Sequence, residues 1–256
     1  MIEGLLCDLD GVLLVNDQPL PGALEAAQEL KATLPLAFVT NSTRLTPKAL
    51  AAKLVGLGLD ISPKFILSPL SVAQSLLAER GIRRLWSLVA EGIQSAFDDY
   101  QQDQHHPEAL VLGDIGPDWD YRCLNAAFNC LHQNPGIPVI SLGLSTYYQG
   151  PQGLRLDVGP FARLLAEASG AELLVCGKPQ QGIFALGAER LGLAPAQLAM
   201  VGDDLDTDVR AAQQAGLTGI LVRTGKFRQQ ALDQGGKAPD VILDGLWALP
   251  AWLRAR

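Results

Sequence analysis

Several functional classes find little to build on in this chain. It holds 3 histidines and 4 cysteines in 256 residues, and no two cysteines form a Cys-x-x-Cys pair. A Cys/His zinc site and a dithiol redox centre therefore lack a ligand set. Cys7, Cys123, Cys130 and Cys176 are scattered, with Cys7 and Cys176 inside apolar runs, so reduced core thiols are expected. Basic residues are outnumbered, 20 Lys and Arg against 27 Asp and Glu, for a net charge of -7 and a pI near 4.9. Nucleic acid and anionic membranes select clustered positive charge, so this balance argues against both and favours a small-molecule partner. No apolar run approaches the roughly 20 residues that span a bilayer. The first residues carry no charged-then-apolar leader, and a cytoplasmic protein is expected. There is no internal repeat, low-complexity tract or heptad run.

What is present is a core-forming composition, 48% hydrophobic, arranged as short apolar runs alternating with longer segments of helical period. That alternation predicts the α/β class: a parallel sheet with helices on both faces. "GLLCDL" and "LPLAFVTNS" read as strands, with a helix near Gly22 to Thr33 and another opening at Thr46-Pro47. "ELLVCGKP", "QLAMVGDD", "TGILVRTG" and "PDVIL" read as further strands of the same sheet. Between them, residues 75–171 have strands of their own at "RRLWSL", "EALVLG" and "IPVISLG". Helices are expected there near Ile93 to Tyr100 and Tyr121 to Leu131, and a hairpin in "YYQGPQGLRL". The expected organisation is a core formed by residues 1–74 and 172–256, interrupted by a smaller α/β domain.

Chemistry gathers at the strand ends. In "LLCDLDGV" the two-residue period of a strand puts Asp8 and Asp10 on one side and Leu9 on the other. The carboxyl edge of an open α/β sheet is where ligands bind. Two adjacent carboxylates repel, and a cation would compensate them; a turn-capping pair is the alternative. The calcium-loop pattern fails, since Val12, Leu13 and Pro19 stand where it needs a ligand, Gly and Glu. A second cluster, "VGDDLDTD", carries Asp203, Asp204, Asp206 and Asp208 at a helix start. Helix capping explains one or two of these, and Val209 and Ala215 again break the calcium pattern. Magnesium, which takes one or two carboxylates plus water and phosphate, suits such an open site. Phosphate also needs donors. Thr40 and Asn41 end one strand with a hydroxyl and an amide, and Lys178, after Gly177, ends another with an ammonium.

The ordered set "DLDGV", "VTNST", "GKP" and "GDDLDTD" resembles the four motifs of the haloacid dehalogenase superfamily of phosphatases, over essentially the whole chain. The insert resembles the α/β cap of its NagD-type, class IIA branch. The stretches "TYYQGPQGLRLDVGPF", "GKPQQGIFALGAERLG" and "GILVRTGKFR" belong to the same likeness. The resemblance implies Asp8 as a nucleophile forming an aspartyl-phosphate and Asp10 as general acid and base. Mg2+ would be held by Asp8, Asp203 and the backbone carbonyl of Asp10, and phosphate by Thr40, Asn41 and Lys178. Asp208 would stand behind Lys178 or a metal-bound water. Asp204 would support the metal through water or cap the helix, and Asp206 would be a solvated cap. A dehalogenase lacks the second aspartate of the first motif, so Asp10 points to phosphoryl transfer. A phosphomutase, or a phosphate-binding scaffold without turnover, are the alternatives. Homodimerisation through the cap is a further expectation of the likeness.

Other features carry less. His105-His106 reads as a solvated loop. Trp247 and Trp252 read as the apolar face of a C-terminal helix kinked at Pro250. Tyr147 and Tyr148 alternate across a strand, so that one could face substrate and the other a dimer partner, with packing in the core or at its rim as the alternative. Cap residues between Gly113 and Tyr148 are expected to set substrate choice.

Overall fold

A computed structural model describes residues 1–150 and 153–255. Strands β1 (Gly4–Asp8), β2 (Leu14–Val15), β3 (Gln18–Pro19), β4 (Leu36–Val39) and β5 (Ile66–Leu67) come first. The middle of the chain holds β6 (Arg84–Leu88), β7 (Gln101–Gln102), β8 (Leu110–Leu112), β9 (Val139–Ser141), β10 (Tyr147–Gly150), β11 (Gly153–Leu156) and β12 (Leu173–Val175). β13 (Leu198–Gly202), β14 (Thr218–Val222) and β15 (Val241–Leu243) follow.

These residues form two compact units. The first comprises Met1–Thr40, Pro47–Leu67 and the chain from Lys178 on; the second comprises Asn41–Thr46 and Ser68–Gly177. The first is built on a parallel sheet of order β15-β14-β13-β1-β4-β5. Its central strand β1 is buried along its whole length, as expected of a strand covered on both faces. Leu5 and Cys7 pack in one cluster with Ala23, Ala26, Ala27 and Leu30 of the helix Ala23–Thr33. On the opposite face, helix Gln181–Leu191 approaches so closely that a Cβ on Gly187 would lie 2.8 Å from Leu6. The small hairpin β2–β3 turns through Asn16 and Asp17, at φ 49 and 66, residue types that tolerate the left-handed region a tight hairpin requires.

The second unit has its own parallel sheet, of order β12-β9-β8-β6-β7. Its core joins Leu110, Leu112 and Val139 to residues of helices Tyr121–Gln133 and Val158–Ser169. β10 and β11 pair antiparallel, as the hairpin reading requires; of the turn residues expected at Gly150-Pro151 and Gly153, Pro151 lies outside the described residues.

Four sequence-based readings change. "ELLV" does not continue the first sheet: Leu173–Val175 pair with Val139–Ser141 of the second, because an apolar strand says nothing of which sheet accepts it. The helix expected over Ile93 to Tyr100 shrinks to Glu91–Gln94 with a 3-10 turn to Phe97. Pro250 sits in the first turn of helix Leu249–Arg254 rather than kinking it, a position where its missing N–H is harmless. Trp252 packs against the first core, whereas Trp247 precedes that helix and is 42% exposed.

Candidate active site

The carboxyl edge of the first unit's sheet collects the acidic residues. β1 ends at Asp8, 6% exposed, whose Oδ1 accepts a 2.8 Å hydrogen bond from Leu9 N. Leu9 N–H also donates to Val39 O, and its side chain joins the core cluster of Leu5 and Cys7. Asp10, just beyond the strand, is exposed; its Oδ2 accepts from Thr40 Oγ1 at 3.2 Å. Thr40 is buried at the end of β4, its N–H bound to Leu67 O.

Lys178 lies between two carboxylates. Its Nζ is 2.9 Å from Asp8 Oδ1 and 2.8 Å from Asp208 Oδ1, with the three side chains 3%, 8% and 1% exposed. Asp208 reaches this place from the π-helical turn Leu205–Arg210 that follows β13. Gly202 makes room for it, since a Cβ there would stand 2.2 Å from the Asp208 Cβ. The N–H of Asp204 donates to Asp208 Oδ2 at 3.1 Å. Asp204 itself caps the turn, its Oδ1 accepting from Asp206 N and Thr207 N. Asp206 pairs with Arg210 at the surface.

Asp203 is held by groups that reading the chain did not single out for it. Lys226 N donates to its Oδ2 at 2.6 Å. Two glycines with positive φ close around the same carboxylate. A Cβ on Gly11 (φ +89) would lie 1.9 Å from Asp203 Oδ2, and one on Gly225 (φ +54) 2.0 Å from it. Both positions therefore demand glycine twice over, for conformation and for space. The sequence signal was a Thr-Gly pair after a strand, which by itself reads as an ordinary turn.

Burial dominates the electrostatics. It pushes the Asp8 carboxyl well above the usual range; the Lys178 ammonium pulls the other way, while Asp208 and Asp203 add to the rise. Asp203 is raised as well, by burial first, against the Lys226 N–H that favours its ionised form. For Lys178, burial alone would lower the pKa, but Asp208 and Asp8 together outweigh it and keep the ammonium charged.

Carboxylate oxygens of Asp8, Asp203 and Asp208 lie within 4.8 Å of one another. Three buried carboxylates facing one ammonium leave an excess of negative charge, which a cation fits. Asp208 already faces Lys178 and Asp204 N, leaving Asp8 and Asp203 as the pair available to a hard divalent ion. Asn41 belongs to the second unit, where a Cβ on Gly177 would be 3.0 Å from its Oδ1. Thus Asp8, Asp10, Thr40, Lys178, Asp203 and Asp208 share the first unit, while Asn41 does not. His105 and His106 bear out the solvated-loop reading: both are exposed, and their backbone N–H groups bind Asp103 Oδ1. All four cysteines are free, and Cys176 is pushed up to about 12 by burial.

The profile of a family described as haloacid dehalogenase-like hydrolase matches residues 5–102, and that of a HAD-hydrolase-like family matches residues 175–249. The chain is 37% identical over 232 residues to a rat protein named phospholysine phosphohistidine inorganic pyrophosphate phosphatase, covering 89% of this chain and 85% of that one. Among solved structures, it resembles a 4-nitrophenylphosphatase from Thermotoga maritima, with a TM-score of 0.86 and 26% identity over 98% of this chain and 97% of the other. The fold is also that of NagD from E. coli, with a TM-score of 0.84, 22% identity, and coverage of 96% and 97%.

Proposed function

Because the chain belongs to the haloacid dehalogenase-like hydrolases, and to their phosphatases, we propose that it hydrolyses a small phosphorylated metabolite through an aspartyl-phosphate on Asp8, with Mg2+ as cofactor. The observation that carries this reading is the buried arrangement of Lys178 between Asp8 and Asp208, with Asp203 alongside.

The residues divide the reaction into two displacements. In the first, a carboxylate oxygen of Asp8 attacks phosphorus and the bond to the leaving oxygen breaks, while Asp10 gives that oxygen a proton. In the second, a water loses a proton to Asp10 and attacks the same phosphorus, releasing the Asp8 carboxylate and inorganic phosphate. Asp10 suits the proton-transfer role because it is exposed and oriented by the Thr40 hydroxyl, whereas Asp8 is buried and fixed by Leu9 N–H and Lys178. Lys178 supplies fixed positive charge where phosphate oxygens would gather, and Asp208 holds that ammonium in place. Asp8, Asp203 and the Asp10 carbonyl would hold Mg2+, whose chemistry is to neutralise phosphate charge. Thr40, of the same unit, would add a phosphate donor.

The test is phosphate release from p-nitrophenyl phosphate with and without Mg2+. Magnesium-dependent turnover is expected, and Asp8→Asn is expected to reduce it by at least about a thousandfold. Folded wild-type protein that releases no phosphate in either condition would refute the proposal.

A further inference from the structure

The second unit contains a cavity of about 380 Å3 whose lining includes Ser42, Thr43, Arg44, Asp114, Tyr148 and Asp157. Its size is at the lower end of small-molecule sites, and its charges are of both signs. The Arg44 guanidinium carbon sits 5.6 Å from the centroid of the Tyr148 ring, so the ring orients a cation whose fork of donors matches a carboxylate. No carboxylate forms an ion pair with Arg44 among the described residues. The same lining holds Asp114, which accepts from Gly116 N at 2.8 Å, and Asp157, which accepts from Val158 N at 2.7 Å. These backbone bonds fix both carboxylates in position. The Asp157 carboxyl is raised above its usual range chiefly by burial, against the Val158 N–H that favours its charge; after these, Asp114 disfavours that charge and Arg44 favours it.

We propose that this cavity is a subsite for a small zwitterion, an α-amino acid or a group of the same charge pattern. Its carboxylate pairs with Arg44, its ammonium with Asp114 and Asp157, and its aliphatic carbons lie along Tyr148. Each competing class leaves a charge unanswered. A simple anion meets two carboxylates, a simple amine meets the guanidinium, and a neutral sugar desolvates all three charges without replacing their solvation.

The experiment titrates the full-length protein with L-alanine, ethylamine, propionate and glucose, following binding by ligand-observed NMR, a readout independent of turnover. L-alanine is expected to saturate at concentrations at least about tenfold below the other three probes. Arg44→Gln is expected to bring L-alanine down to the level of ethylamine, and Asp114→Asn to that of propionate. Asp157→Asn, which keeps a good helix cap, is expected to weaken L-alanine with an unchanged melting temperature. Equal binding of the probes, preference for glucose, no saturation by L-alanine, or binding indifferent to Arg44→Gln would each overturn the proposal. If p-nitrophenyl phosphate is turned over while L-alanine does not bind, this inference alone falls. If L-alanine binds with the expected order and no phosphate is released, the phosphatase reading falls and the subsite stands.

Discussion

Lys178 shows how a single residue can hold a site together. With a side chain 3% exposed between Asp8 and Asp208, its charge offsets two carboxylates that burial would otherwise make costly. Replacing it by Met leaves both without their counter-charge, and Lys178→Met is expected to lower stability near neutral pH by about 3–5 kcal/mol. Chemical denaturation should show a smaller loss in acid, where Asp8 takes up a proton. A second expectation concerns pH itself. Asp8 and Asp203 are both raised, chiefly by burial. They bind protons more tightly in the folded than in the unfolded chain. Their contribution to metal-free stability is therefore full below the ordinary carboxylate range and declines as pH rises through the raised folded values. A divalent cation competes with those same protons, so its benefit should grow over the window in which theirs is lost. Thermal melts with and without Mg2+ should show a larger increment near neutral pH than below about pH 5. Equal increments would contradict this assignment of Asp8 and Asp203.

At the scale of elements, the carboxyl ends of β1 and β13 bring residues from distant parts of the chain to one edge. The loops after β1 and β14 then clamp Asp203 between Gly11 and Gly225. The loop after β14 was the least legible part of the site. An acidic residue at a strand end is conspicuous, but a glycine needed for its neighbour's space looks like any turn glycine. Gly225→Ala is expected to push Asp203 off its Lys226 hydrogen bond. The concentration of Mg2+ giving half-maximal activity should rise by about tenfold or more, whereas Gly81→Ala, also at positive φ but with no atom within 4 Å of its Cβ, should leave it unchanged. Asp204 was legible only as one of two alternatives. The bonds it accepts from Asp206 N and Thr207 N show it as a cap, since geometry decides what four neighbouring aspartates cannot.

For the molecule as a whole, each unit has its own sheet and core. Leu112, fully buried in the second core, is a test of that division. Leu112→Ala is expected to destabilise the second unit by about 2–5 kcal/mol. Hydrogen exchange should quicken in β8 and β9 while protection in β1 and β13 is retained; equal loss in both sheets would show a single cooperative unit. No helix of the described residues is long and apolar enough to cross a membrane, in keeping with the absence of long apolar runs. The α/β class, the central strands and the acidic and hydroxyl groups at their ends were determined by the sequence alone, because alternation of apolar runs and helical periods is a local property. So was the separation of Asp8 from Asp10 by a core-facing Leu9. Tertiary structure alone decided that Leu173–Val175 join the second sheet, that Asp204 caps its turn, and that Gly225 and Lys226 hold Asp203. Strand partnership and side-chain approach depend on residues far apart in the chain, and no local pattern encodes which of them will meet.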